Sequence, residues 1–194
     1  MMRYKRIVLA SKSPRRKEIL EKCGFEPIVM ISECDESKVK EKDPRKLVKK
    51  LSIIKARDVA GKCKDGDVIV AADTVVSVDG TILGKPKTKK EAREMIRSYA
   101  GKEHYVYTGV TIIYKRKEKD EEYSFVDKAA VTVSEMTNCE IKAYVETGEP
   151  MDKAGAYGIQ GAFCKYIPKI NGDFYTVMGL PIARTYRAIK EMTR

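Results

Sequence analysis

The chain of 194 residues contains no tryptophan, one histidine (His104), one glutamine (Gln160) and only two asparagines (Asn138 and Asn171). A single histidine argues against a histidine-based catalytic triad and against a histidine-rich metal site. No apolar run is long enough to cross a bilayer and the N-terminus lacks a signal-peptide pattern, so a cytoplasmic protein with no membrane partner is expected. Cys23, Cys34, Cys63, Cys139 and Cys164 are odd in number and form no C-x-x-C pair, which points to reduced thiols and away from a disulfide frame or a zinc site. Gly84-Lys85-Pro86 lacks P-loop spacing, and no strand–G-x-G-x-x-G–helix unit occurs, so the common nucleotide folds are not supported. The scarcity of amides beside abundant Lys and Glu is a composition found in heat-adapted proteins.

What is present suits a packed protein. The apolar fraction of 43% is ample for a core, and the length fits one domain over residues 1–194, built as two lobes. The formal net charge of +11 has three readings: nucleic-acid binding, attraction of a small polyanionic substrate, or a solvated Lys/Glu surface. The basic residues are dispersed and no nucleic-acid motif appears. Most of the charge therefore reads as surface, a minority as substrate attraction, and nucleic acid is not the expected partner.

The strongest local signal is Ser11-Lys12-Ser13-Pro14-Arg15-Arg16, directly after the apolar run Ile7-Val8-Leu9-Ala10. The run reads as a buried strand, Ser13 as an N-cap and Pro14 as the first helical residue. Two arginines in a first helical turn oppose the helix dipole unless an anion lies there. The turn reads as a phosphate site or, equally, as an ordinary capped helix with solvated arginines.

Further along, Phe25 to Ile31 is expected as a strand, Ser32 to Lys42 as a polar loop, and Asp43-Pro44 as the start of an amphipathic helix. Asp67 to Val78 reads as a strand joined by an Asp79-Gly80 hairpin to Thr81-Ile82-Leu83. Thr88 caps the next helix, with Ala92, Met95, Ile96 and Tyr99 inward. Long strands at Tyr105–Tyr114 and Tyr123–Val133 follow, then a helix from Thr137 or Asn138. The glycines Gly155, Gly158 and Gly161 mark a loop with unusual backbone angles or a close approach to something. Two strands flanking Asn171-Gly172 form another expected hairpin, and Pro181 starts the last helix. Early alternation and later hairpins predict an α/β protein with a mixed sheet flanked by helices.

Asp73 stands out because it interrupts Val70-Ala71-Ala72-Asp73-Thr74-Val75-Val76. A buried carboxylate needs a cation, a metal or a dense set of hydrogen bonds. With the hairpin centred on Asp79-Gly80, Thr74 falls opposite Lys85, and Asp73 and Lys85 become neighbours if the ladder extends that far, which reads as an active-site edge or, equally, as a surface ion pair. The bland reading of Asp73 is an exposed-face residue on a half-buried strand. Lys55, beside Ile54 on an apolar helix, is ordinarily a snorkelling lysine. Glu36 in its polar loop is unremarkable, and His104 reads as structural or peripheral. Several cations and two carboxylates without a Ser–His or Cys–His arrangement suit phosphoanhydride hydrolysis assisted by a divalent cation.

In order and spacing, S-K-S-P-R-R, A-A-D-T-V-V, G-K-P, Y-T-G-V, D-K-A-G-A-Y-G-I-Q-G and I-N-G-D-F-Y-T-V-M-G-L-P resemble the Maf family of nucleoside triphosphate pyrophosphatases over nearly the whole chain. The resemblance implies an inosine-triphosphate-pyrophosphatase-like fold, with a strongly twisted sheet, two lobes around a cleft, and a homodimer. It implies hydrolysis between the α and β phosphates with Mg²⁺ or Mn²⁺ as cofactor. By the same resemblance Asp73 is the catalytic carboxylate, Glu36 and Asp73 hold the metal, and Arg15, Arg16, Lys55 and Lys85 grip phosphates near Ser11 and Ser13. Arg15, Thr74 and Gln160 resemble the branch that prefers dTTP and UTP. A glutamine amide offers both donor and acceptor to the O and N–H edge of uracil or thymine. The alternatives are cleansing of modified pyrimidine nucleotides and, from another class, a non-catalytic basic nucleic-acid-binding or cell-division regulatory protein.

Overall fold

Strands buried on both faces read as continuous apolar runs, and the first and third strands of this protein do. In the computed structural model, which describes residues 6–194, β1 (Ile7–Leu9) and β3 (Val68–Val78) are parallel, with Ile7 beside Val68 and Leu9 beside Val70. β2 (Ile28–Val29) runs parallel to β1 on its other side. Between these strands lie α1 (Pro14–Lys22) and α2 (Pro44–Ala60). β4 (Thr81–Leu83) returns antiparallel to β3, and α3 (Lys89–Tyr99) leads into the long strands β5 (Glu103–Tyr114) and β6 (Glu121–Thr132). α4 (Asn138–Glu146), β7 (Lys169–Asn171), α5 (Phe174–Met178) and α6 (Ile182–Met192) complete the chain. Among the described residues the sheet has seven strands in the order β2-β1-β3-β5-β6-β7, with β4 also on β3. Parallel and antiparallel pairs coexist, so the expected mixed α/β sheet is observed.

The chain divides into two units. The first holds the described residues up to Asp73, Thr108–Asp127 and Gly179–Arg194; the second holds Thr74–Tyr107 and Lys128–Met178. The division falls within β3, β5 and β6.

In the first unit, Asp43 caps α2 by accepting from the N–H groups of Arg45 at 2.8 Å and Lys46 at 3.3 Å, while Pro44 occupies a position that needs no N–H. Ala56, Val59 and Ala60 of α2 pack against Val8, Ala10, Ile69, Ala71 and Ile113. The helix comes so close to β5 that a Cβ on Gly109 would collide with the Val48 carbonyl. Beside that contact, the buried hydroxyls of Ser52 and Thr111 share a hydrogen bond of 2.8 Å.

In the second unit, Thr88 caps α3 and Thr137 caps α4, the latter with Glu140 in a complete capping box. Ala92, Met95, Ile96 and Tyr99 are all buried, as their spacing predicts. They join an aromatic core in which Phe163 lies 5.0 Å from both Tyr144 and Tyr157. His104 is structural: buried, its Nε2 lies 2.8 Å from the Tyr157 hydroxyl.

Three local expectations are corrected. The strand expected over Phe25–Ile31 reduces to Ile28–Val29, after Pro27, which has no N–H to pair. Asn171-Gly172 is not a hairpin turn. Gly172 has φ +132° where a Cβ would lie 2.9 Å from the Ala129 Cα, and Asp173 then accepts from the Tyr175 N–H and starts α5 in place of a second strand. Ser13 occupies the N-cap position of α1, but its side chain makes no capping bond.

Candidate active site

β1 delivers the chain to α1 through Ala10, whose N–H donates to the Val70 carbonyl at 2.8 Å. The next residues turn inward on one another. The Ser11 hydroxyl accepts from the Ser13 N–H at 3.2 Å and from Arg16 Nη1 at 3.0 Å. Arg16 Nε donates to the Gly179 carbonyl at 2.8 Å, just before α6. Arg16 is therefore fixed from two directions, and Arg15 is half-buried beside it. Burial lowers the Arg16 pKa, Asp73 and Glu36 favour its charged form, and Arg15 opposes it. α1 has no acidic residue in its first turn, so the two arginines face the positive helix end without a local counter-charge from that turn.

Asp73 meets the cation that its position demands. Its Oδ1 lies 2.6 Å from Lys55 Nζ, and the two side chains are only 14% and 12% exposed. Lys55 does not snorkel to solvent. Its ammonium also lies 2.8 Å from Glu36 Oε2. Glu36 opens a short 3-10 turn, Glu36–Lys38, which Asp35 stabilises by accepting from the Ser37 N–H at 3.1 Å and the Ser37 hydroxyl at 2.6 Å. A polar loop that looks ordinary in sequence thus carries a carboxylate to the end of a lysine that α2 aims at β3.

Two carboxylates around one ammonium leave a net negative charge next to the arginine pair. Their oxygens converge on a point already suited to a cation, and oxygen donors suit a hard divalent ion such as Mg²⁺. Among the described residues no group of three or more His, Cys, Asp or Glu could hold a metal.

The first unit thus brings together Ser11, Ser13, Arg15, Arg16, Glu36, Lys55 and Asp73. Thr74, Lys85 and Gln160 belong to the second unit. The β3–β4 register is the expected one, but the ladder ends at Val76 opposite Leu83, before Asp73 and Lys85 could pair through it. Exposed Lys85 follows Gly84, whose carbonyl accepts from the Gly155 N–H at 2.9 Å, so the G-K-P segment and the glycine-marked loop meet. Gln160 sits exposed in a turn of that loop. Gly179, whose carbonyl anchors Arg16, has no role legible in the sequence; its position in M-G-L-P and its φ of +107° are the only local signs.

The Maf-like protein family matches residues 6–192. A dTTP/UTP pyrophosphatase of Lachnoclostridium phytofermentans is 46% identical over 186 residues, covering 95% of this chain and 94% of that one. A dTTP/UTP pyrophosphatase of Carboxydothermus hydrogenoformans is also 46% identical, covering 96% of this chain and 98% of its own. Among solved structures, a nucleoside-triphosphatase (dITP/XTP pyrophosphatase) of Mycobacterium abscessus covers 95% of this chain and 93% of that one, at 12% identity and a TM-score of 0.46. No helix among the described residues is long and apolar enough to cross a membrane.

Proposed function

The chain belongs to the Maf-like family, and we propose that it is a dTTP/UTP pyrophosphatase, releasing pyrophosphate and leaving the nucleoside monophosphate. The observation that carries this reading is the Glu36–Lys55–Asp73 cluster beside Arg16, in a chain 46% identical to dTTP/UTP pyrophosphatases over nearly its whole length.

Arg15, Arg16 and the N–H groups at the start of α1 bind phosphate oxygens. The family resemblance further assigns Lys85 to phosphate and Gln160, Thr74 and Arg15 to base preference. Lys55 holds Asp73 through Oδ1, which leaves Oδ2 to accept the proton of the water that attacks the α phosphorus. The α–β bond breaks and pyrophosphate leaves. Asp73 and Glu36 are the residues that would hold Mg²⁺ or Mn²⁺, and such an ion supplies neutralisation of the developing phosphate charge.

Pyrophosphate release from dTTP, UTP, GTP and ATP, with Mg²⁺ or Mn²⁺, tests the reading. Wild-type protein is expected to prefer dTTP and UTP. Asp73→Asn is expected to lose on the order of 10³-fold in kcat, within the range general-base removal gives, while nucleotide affinity stays within severalfold. Normal turnover by Asp73→Asn, or no pyrophosphate from any nucleotide, overturns it.

A further inference from the structure

Glu149 does nothing in the reaction described above, yet it organises the loop that carries Gln160. It begins a 3-10 turn directly after Gly148, which takes φ +78°. Its Oε1 accepts from the Tyr144 hydroxyl at 3.0 Å, and its Oε2 accepts from the Ala162 N–H at 3.0 Å. The Tyr144 oxygen in turn accepts from the Gly158 N–H at 3.3 Å. Gly158 and Ala162, which bracket Gln160, are thus both tied to one carboxylate and its tyrosine.

The glycines of the loop report the same contact. A Cβ on Gly161 would collide with the Glu149 carboxylate, and one on Gly158 would lie 3.1 Å from Glu149 Oε1. Gly161 is therefore explained by the Glu149 side chain running past it, while at Gly158 the Lys153 side chain is the closer obstacle, at 2.6 Å, with Glu149 beside it. Tyr144 is buried and packs its ring 5.0 Å from Phe163, so the clamp stands on the rigid aromatic core. Gln160 itself is exposed, in a turn with no strand or long helix to hold it. An amide that must match the imide edge of a pyrimidine needs its backbone held to a fraction of an ångström, and hydrogen bonds to a carboxylate are strong enough to do so.

We infer that Glu149, with Tyr144, is the positioning residue that sets pyrimidine selectivity by clamping the Gln160 loop. The inference rests on the proposed function, and specifically on Gln160 reading the base.

Its test is kcat and KM for dTTP, UTP, GTP and ATP in wild type, Gln160→Ala, Glu149→Ala, Tyr144→Phe and the Glu149→Ala/Gln160→Ala double variant. Glu149→Ala is expected to lower the dTTP-to-GTP ratio of kcat/KM about tenfold, chiefly through KM for the pyrimidines. The double variant is expected to be no less selective than Gln160→Ala alone. Tyr144→Phe keeps the ring in the core and removes only the hydroxyl. It is expected to give a smaller loss of the same kind, and it carries the test if Glu149→Ala does not fold. An equal loss on all four nucleotides, or an unchanged ratio in both Tyr144→Phe and Glu149→Ala, overturns the inference. An unchanged ratio in Gln160→Ala removes base reading by that residue and overturns the inference with it, while pyrophosphate release by wild type still stands. If wild type releases none, the functional reading itself falls.

Discussion

The two units of this protein stabilise polar groups in opposite ways. In the first, the cluster under α2 is made of Val, Ile and Ala, with Met30 and Cys63 at its margin. Small aliphatic surfaces let a helix approach a sheet closely, and α2 comes down onto β5 until only glycine fits at position 109. That approach lets Lys55 reach Asp73. The second unit is built on Tyr99, Tyr144, Tyr157, Phe163 and Tyr166. Its rings are too bulky for such an approach, but their hydroxyls reach irregular backbone. Tyr99 donates to the Gly155 carbonyl at 2.7 Å, and Tyr144 serves both Glu149 and Gly158. Close packing of regular elements holds charges in place in one unit, and aromatic hydroxyls hold a loop in place in the other.

The largest effect that would break this comparison comes from the ammonium at the centre of the first unit. Lys55→Met keeps the length of the side chain but leaves Asp73 and Glu36 facing each other. Removing one partner of a largely buried ion pair costs about 4 kcal/mol, and the catalytic cost is set at roughly 100-fold in kcat/KM. Thermal unfolding and dTTP turnover check both. In Lys55→Met/Asp73→Asn the stability loss is expected to be smaller than in Lys55→Met, because no buried charge is left alone. Near-native activity in Lys55→Met would mean that the cluster is only an ion pair.

How much of this was legible depends on distance along the chain. Asp43-Pro44, Thr88 and Thr137 announce their helices because a cap acts over two or three residues. Asp79-Gly80 announces its hairpin because both residues take the positive φ such a turn needs, at 47° and 80°. Asn171-Gly172 spells the same signal and fails, since Gly172 answers to Ala129 across the sheet and Asp173 to the helix after it. Asp73 was conspicuous because a carboxylate in an apolar strand demands a partner. Its partner was not, because Lys55 is 18 residues away and reads as an ordinary snorkelling lysine until α2 is folded onto β3. Glu36 had no local signal, and only the resemblance to a family nominated it. Glu149 escaped for a related reason: the glycine it explains lies beyond a helix end and two turns.

A second test bears on the close approach itself. Gly109→Ala places a methyl group against the Val48 carbonyl, a backbone atom that cannot swing aside as a side chain would. Overpacking of this kind costs about 3 kcal/mol, read from the urea midpoint. Because α2 must lift away from β5, turnover is expected to fall even under conditions where the variant is folded. The matching change in the second unit, Tyr99→Phe, removes only one hydroxyl bond and is expected to cost about 1 kcal/mol. Equal losses from the two would show that the units do not differ in the way their cores suggest.

The smallest effect separates the units by pH. Among the described residues His104 is the only histidine, and it lies inside the aromatic core with its Nδ1 buried and lacking a hydrogen-bond partner. Burial lowers its pKa from 6.5 to about 4. A depressed histidine pKa means that the folded state prefers the neutral ring. Its contribution is complete above pH 6.5 and is lost as pH falls from there towards 4, where the unfolded chain takes up a proton that the folded chain refuses. Between pH 8 and pH 5 the loss is about 2 kcal/mol. In His104→Gln that share of the acid sensitivity is expected to vanish, while the share owed to carboxylates remains in both proteins. Urea unfolding of the two at pH 8 and pH 5 gives the difference directly. Arg16, the cation that burial disfavours in the first unit, stays charged throughout this range, as a guanidinium does. An equal pH response in the two proteins would show that His104 protonates without cost, and the aromatic core would then have to be open enough to hydrate it.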